Sequence, residues 1–351
     1  MTLSEVLIQR IAAHGPITIA DYMTDCLQHP QHGYYITRDP LGAAGDFITA
    51  PEISQMFGEL IGLSLAQTWM DQDAPSQFVL AELGPGRGTL IADVIRATRS
   101  VPGFAEAAQM HLIETSPPLR AAQAQLLGDT VTWHETVTTL PEAPLYCIAN
   151  EFFDALPIRQ FQRRGAAWCE RVVGVKDDAL HVGLTQPAPL AALEARLDDT
   201  KDGDLVELAP AAPGIIGEIS HRIEAFGGAG LIIDYGDWGS QGDTLQAVQD
   251  HTFVDPFAQP GAADLTAHVD FEALAIAATC AHSRLTPQGV YLERLGITGR
   301  AQQLAAKLSG NPLEQHINAH RRLTHPSEMG TLFKVMGLMP HHAAAPAGLE
   351  T

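Results

Sequence analysis

The chain has 351 residues, 46% of them hydrophobic, and its 21 Lys+Arg against 41 Asp+Glu leave a formal net charge of −20. That aliphatic content supports at least one large core and excludes disorder of the whole chain. The acidic balance argues against non-specific nucleic-acid binding and against electrostatic attachment to anionic lipid, and it steers in basic protein partners.

Residues 1–75 read as helical and loop-rich. Val6, Ile8, Ile11 and Ala12 follow a helix period, Tyr22, Met23 and Leu27 predict a second helix ending near Pro30, and Met56 to Met70 predicts a third. Met1 to Ala20, with Glu5 and Arg10 inside that period, resembles neither a secretory signal nor an Arg-rich transit peptide. No apolar stretch is long enough to span a bilayer, so no membrane insertion is expected. The four cysteines, Cys26, Cys147, Cys169 and Cys280, form no Cys-x-x-Cys pair and fit reduced thiols of a cytoplasmic protein.

From Phe78 short apolar runs alternate with helical stretches. Phe78–Leu83 reads as a buried strand, and Met110–Glu114, Val131–Trp133, Leu145–Asn150 and Gly230–Tyr235 read as four further strands. The alternation predicts an α/β fold with a parallel, Rossmann-like sheet covered by helices on both faces. Arg159 to Gly183 breaks the rhythm and predicts a small antiparallel insertion, within about 158–210, with turns near Gly165 and Asp177-Asp178. Phe271 to Ala281 reads as a helix, with the last sheet strands beyond it. The expected organisation is a helical N-terminal region over 1–75, a core over 76–340, and an Ala/Pro-rich mobile tail over 341–351.

The sharpest motif is Glu82-Leu83-Gly84-Pro85-Gly86-Arg87-Gly88-Thr89-Leu90, which ends a strand and opens a helix. Glycines here let the backbone turn tightly and approach a ligand. Dinucleotide binding calls for Gly-x-Gly-x-x-Gly/Ala, and Thr89 fills the third position; no Lys follows for a P-loop. An acid followed by Gly-x-Gly-x-Gly instead matches the first motif of S-adenosylmethionine (SAM) methyltransferases, with a nucleotide site or a structural turn as the alternatives. Glu82, Gly84, Pro85, Gly86 and Gly88 are the candidate cofactor contacts in this loop. Glu114 ends the second strand 26 residues after Gly88 and could accept both ribose hydroxyls, or merely sit at a helix N-terminus. His134 ends the third strand, where an adenine edge would lie.

Asn150-Glu151-Phe152-Phe153-Asp154 ends the fourth strand, the place that faces methyl donor and acceptor in methyltransferase folds. Glu151 and Phe152 stand where amino-methylating DNA enzymes carry two prolines, which argues against a base amine as acceptor. A carboxylate at Glu151 could instead grip a guanidinium, whose planar fork matches it; capping of the next helix is the plainer role. Asn150 is a further cofactor candidate. The segments Gly45–Ser54 and Asp264–Phe271 mix acids with turn residues, and Asp270 could cap the helix that follows. His316 and His320 stand four apart on a predicted helix, but Ile317 replaces the Glu of a metalloprotease motif, and no metal site is expected.

The segments Gly45–Glu59, Glu82–Leu90, Asn150–Pro157, Asp234-Tyr235-Gly236 and Asp264–Phe271, in this order, resemble the MidA-like family over nearly the whole chain, from Leu3 to Leu338. Mitochondrial members of that family, in the matrix, are assembly factors of respiratory complex I. The resemblance implies a class I methyltransferase fold and a SAM-dependent protein arginine methyltransferase of the symmetric-dimethylating kind. It implies as substrate the quinone-site subunit of NADH:quinone oxidoreductase, in a bacterial, cytoplasmic relative. Glu151 is then the expected first guanidinium ligand, with Asp46 or Asp154 as a second acid. A SAM-binding assembly scaffold without turnover is the rival from another class.

Overall fold

A computed structural model describes residues 1–37 and 49–351. These form two compact units, one of residues 1–37, 154–212 and 239–270, the other of residues 49–153, 213–238 and 271–351.

The second unit is built on a mostly parallel sheet. Its strands are β1 (Phe78–Leu83), β2 (Ala108–Ile113), β3 (Val131–His134), β4 (Leu145–Asn150), β5 (Gly228–Asp237) and β6 (Phe333–Met339). Their spatial order is β3-β2-β1-β4-β5-β6; all pairs are parallel except β5 with β6, and the short strand Ala281–His282 closes the edge beyond β6. Every residue of β1 and β4 is buried, as is β5 up to Gly236, because helices cover both faces of a parallel sheet. Strand order reverses between β1 and β4. In such sheets ligands bind outside the carboxyl ends of the strands at that reversal.

The helix Gln55–Asp71 belongs to this sheet unit and not to a separate N-terminal helical region. It lies close against Thr89–Thr98: a Cβ on Gly58 would meet Asp93 Cβ at 2.6 Å, and one on Gly62 would meet Val94 Cα at 2.9 Å. Glu59, between those glycines and 5% exposed, accepts from Arg96 Nη1 (2.8 Å) and from Arg300 Nε (2.8 Å) and Nη2 (3.1 Å). Burial raises its carboxyl, but the two guanidinium groups outweigh that and hold it below the ordinary value. The helix Phe271–Ala277 ends four residues earlier than the Ala281 its apolar pattern predicts.

The tail over 341–351, expected to be mobile, is tied down instead. Ser64 donates to the Ala347 carbonyl (2.8 Å), Arg284 N–H donates to the Glu350 carbonyl (2.8 Å), and the Arg294 guanidinium pairs with Glu350 at 2.9 Å.

In the first unit, Thr2 with Glu5 and Thr18 with Asp21 form capping boxes that start the helices Leu3–His14 and Ile19–Gln28. The antiparallel insertion has strands Arg159–Arg164, Ala167–Lys176, Ala179–Leu184 and Leu205–Leu208. Asp177 and Asp178, both at positive φ, make the two-residue hairpin turn. Leu7, Ile19, Tyr22, Met23, Leu27 and Val173 anchor this unit's core. Among the described residues no helix is long and apolar enough to cross a membrane.

Glu59→Ala is expected to lower the unfolding free energy by about 2 kcal/mol, since it removes a charged acceptor from two guanidinium groups. The loss stays below the cost of breaking a fully buried pair because Arg96 and Arg300 are 44% and 36% exposed. Urea unfolding followed by circular dichroism measures it; an unchanged midpoint refutes the role.

Candidate active site

Three loops at the carboxyl ends of β1, β2 and β4 carry the polar groups. The first begins at Glu82, 3% exposed, whose carboxyl burial pushes up to about 8 and whose Oε2 has no hydrogen-bond partner. Gly84, Gly86 and Gly88 then adopt φ of +59°, +54° and +85°, a region that side chains disfavour. Gly84 N–H donates to the Ile113 carbonyl (3.0 Å), and a Cβ at Gly84 would lie 2.9 Å from the Phe152 ring. Gly88 N–H donates to the Pro85 carbonyl (2.8 Å), and Gly88 caps Thr89–Thr98. That helix presents unpaired N–H groups and the positive end of its dipole to the loop.

Glu114 follows β2 and is 8% exposed. Its Oε1 accepts from Ser116 N–H (2.7 Å) and its Oε2 from Gln123 Nε2 (3.3 Å). Burial raises its carboxyl above the ordinary value, against the lowering effect of those bonds. Gln123, fully buried, is a residue the sequence reading missed. Its amide also donates to the Gly86 carbonyl (2.6 Å) and accepts from Trp133 Nε1 (2.8 Å), so it joins the glycine loop to Glu114. His134 has both ring nitrogens engaged, Nε2 with His111 Nδ1 (2.8 Å) and Nδ1 with Thr139 Oγ1 (2.7 Å). It offers a ligand its ring face rather than its nitrogen edge.

At the end of β4, Asn150 is 7% exposed; its Nδ2 donates to Glu151 Oε1 (3.1 Å) while its Oδ1 has no partner. Glu151 is held at φ +51°, in the left-handed region. Its N–H donates to the Ile233 carbonyl (2.9 Å), and its Oε1 also accepts from Ala50 N–H (3.1 Å). Asp234, fully buried in β5, fixes this turn: Oδ2 accepts from Phe152 N–H (3.2 Å) and Phe153 N–H (3.0 Å), and Oδ1 from Tyr235 N–H (2.9 Å). Glu52 accepts from Thr89 Oγ1 (2.6 Å), so the described part of the segment 45–54 does reach the glycine loop.

Asp46 lies outside the described residues. Asp154 belongs to the first unit, buried, with its carbonyl accepting from Ala267 N–H (2.9 Å). Asp270, in the same unit, accepts from Gly239 N–H (3.2 Å) and lies 3.7 Å from Arg196 Nη1. His316 bonds the Ala301 carbonyl (2.9 Å) and His320 bonds Thr298 (3.1 Å), so each imidazole has its own partner.

A reversed-order parallel sheet, a three-glycine turn after β1 and an acid after β2 define a class I SAM-dependent methyltransferase. The sequence model of a family described as "Putative S-adenosyl-L-methionine-dependent methyltransferase" matches residues 60–290. Protein arginine methyltransferase NDUFAF7, mitochondrial, of Homo sapiens is 36% identical, covering 95% of this chain and 82% of its own length. The NDUFAF7 homolog of Drosophila melanogaster is 35% identical, over 98% and 86%. A crystal structure of a "likely methyl transferase from Burkholderia thailandensis bound to S-adenosyl-homocysteine" superposes with a TM-score of 0.83 at 28% identity, over 99% of this chain and 94% of the other. The chain belongs to the MidA-like family of SAM-dependent methyltransferases. SAM is its cofactor. The loops fit that group: Glu82 Oε2 and Asn150 Oδ1 are buried polar atoms without a partner, as a site for a hydrogen-bonding ligand requires.

The raised carboxyl of Glu82 sets a pH dependence. Between about 4.5 and about 8 the folded chain holds a proton there that the unfolded chain has released, so stability is full below that window and falls as pH rises through it. Glu82→Gln is expected to flatten the slope, giving a ligand-free variant that melts above the wild type at pH 8 and alongside it at pH 4.5. Equal melting temperatures at pH 8 contradict this.

Proposed function

We propose that the chain methylates an arginine guanidinium of a protein. The observation that carries the reading is the Glu151 carboxylate, held in a left-handed turn at the end of β4 beside the glycine loop. The relatives named as protein arginine methyltransferases, at about 36% identity over most of the chain, support it. The finer form is symmetric dimethylation of the quinone-site subunit of NADH:quinone oxidoreductase, a substrate class suggested by the sequence resemblance.

When bound, SAM would supply an electrophilic methyl carbon, whose bond to sulfur breaks as a bond to the acceptor nitrogen forms, leaving S-adenosylhomocysteine as a neutral thioether. The protein's part is then chiefly positioning. Gly84, Pro85, Gly86 and Gly88 would form the backbone cradle, Glu114 would accept from ribose hydroxyls, and Glu82 and Asn150 would bond the remaining polar groups. His134 closes the adenine side with its ring face. Glu151 orients the guanidinium, localises its charge on the carboxylate side and favours loss of the proton released on methylation. Asp46 and Asp154 remain proposals for a second acid.

Incubation of the purified protein with SAM and that complex I subunit, read by mass spectrometry, tests the reading. Methylarginine on the subunit supports it. SAM binding without any transfer would favour an assembly scaffold.

Two substitutions separate the roles. Glu114→Ala removes a charged acceptor worth about 1.5–3 kcal/mol per hydrogen bond. It should weaken SAM binding at least about tenfold by calorimetry; wild-type affinity would leave Glu114 as a helix cap. Glu151→Gln keeps the amide contacts of Ala50 and Asn150 but removes the charge. Transfer should fall by about 100-fold or more while SAM affinity stays within a few-fold. A joint loss of affinity and turnover would make Glu151 a cofactor or structural residue.

A further inference from the structure

Trp69 and Trp168 are buried and Trp133 is half-buried, whereas Trp238, directly after β5, is 45% exposed. It lines a cleft of about 520 Å³ in the sheet unit, together with Asp237, His282, Arg284, Lys334 and Thr351. The indole and the His282 ring are 6.0 Å apart and tilted by 39°. Lys334 Nζ is already committed, donating to the carbonyls of Gly236 (3.0 Å) and Thr331 (2.9 Å) with Asp237 at 4.0 Å. Arg284 is exposed, and its guanidinium pairs with no carboxylate among the described residues. On a chain of net charge −20, the cleft thus sets an exposed indole beside a guanidinium that has no carboxylate among the described residues.

We propose that this cleft is a docking site for the protein acceptor, taking a segment that pairs an acidic with an aromatic side chain. The proposal rests on the acceptor being a protein. The carboxylate meets the fork of Arg284, and the aromatic ring lies against Trp238. A nucleic acid is disfavoured because its unbroken run of phosphates would extend over the acidic surface beyond the cleft, whereas a segment with one carboxylate confines its charge to Arg284. The position relative to the reacting centre is set by the sheet. Ile233 of β5 pairs with Asn150 of β4, and Trp238 lies five residues further along the same strand direction. At about 3.3 Å per residue that is roughly 17 Å. An extended acceptor covers that distance in about five residues. The acidic–aromatic element therefore lies about five residues from the arginine that is methylated.

The indole exposure supplies the assay. A blocked tripeptide of sequence EFE is titrated into the full chain while tryptophan emission is recorded, with the tripeptide KFK as its charge-reversed partner. The expected result is a saturable shift with EFE, absent in Trp238→Phe, weakened at least about tenfold in Arg284→Glu, and diminished by added salt. Arg284 is exposed, so circular dichroism of the variant should match wild type, and Arg284→Lys should retain partial binding. No saturable shift, equal binding of KFK, or unchanged affinity in Arg284→Glu overturns the proposal. The titration involves no methyl transfer: EFE binding without arginine methylation would sink the proposed reaction and keep the cleft, and methylation without EFE binding would do the reverse.

Discussion

Three backbone N–H groups converge on the buried carboxylate of Asp234, and the geometry of the turn at the end of β4 depends on that convergence. Holding Glu151 in the left-handed region costs about 1–2 kcal/mol. Hydrogen bonds to a charged acceptor contribute about 1.5–3 kcal/mol each. The bonds from Phe152 and Phe153 therefore outweigh the strain of the turn they follow. The same turn seats the Phe152 ring against Gly84, where a methyl group would collide with it. The glycine loop and the turn that carries Glu151 thus share one rigid frame, so a shift of either moves the other.

Gln123 performs the corresponding task between β1 and β2. One amide reaches the Gly86 carbonyl, the Glu114 carboxylate and the Trp133 indole, so every polar atom of a fully buried side chain is used. The two strand-end acids around it, Glu82 and Glu114, are both raised by burial. Desolvated acceptors of this kind are costly in the empty protein and effective toward a ligand that brings donors.

The strands were legible because parallel strands buried on both faces are apolar without interruption, as in Phe78–Leu83 and Leu145–Asn150. The glycine spacing and the acid at 114 were legible for the same local reason. Asp234 and Gln123 were not legible as linkers. An Asp within an apolar strand does not announce its partners and a helical Gln reads as solvated, and only the strand order brings residue 234 beside residue 152. The placement of Gln55–Asp71 was also hidden, since periodicity reports an apolar face but not its partner; Gly58 and Gly62, one turn apart, were the available signal. Composition misled at the tail, where Ala and Pro suggested mobility while the carbonyls of Ala347 and Glu350 accept hydrogen bonds. Asp154, adjacent to the β4 turn in sequence, falls in the other unit.

Each unit is assembled from three separated stretches of chain, and this has a consequence for biosynthesis. Tyr22 donates its hydroxyl to the Pro256 carbonyl across 234 residues of sequence, and β5 completes its pairing only with β6, about a hundred residues later. Such non-local contacts require slow loop closures. On the ribosome neither core can close until most of the polypeptide has emerged. The helices Leu3–His14 and Ile19–Gln28 would wait with their apolar faces uncovered, an interval in which chaperone protection matters more than it does for proteins whose domains are contiguous.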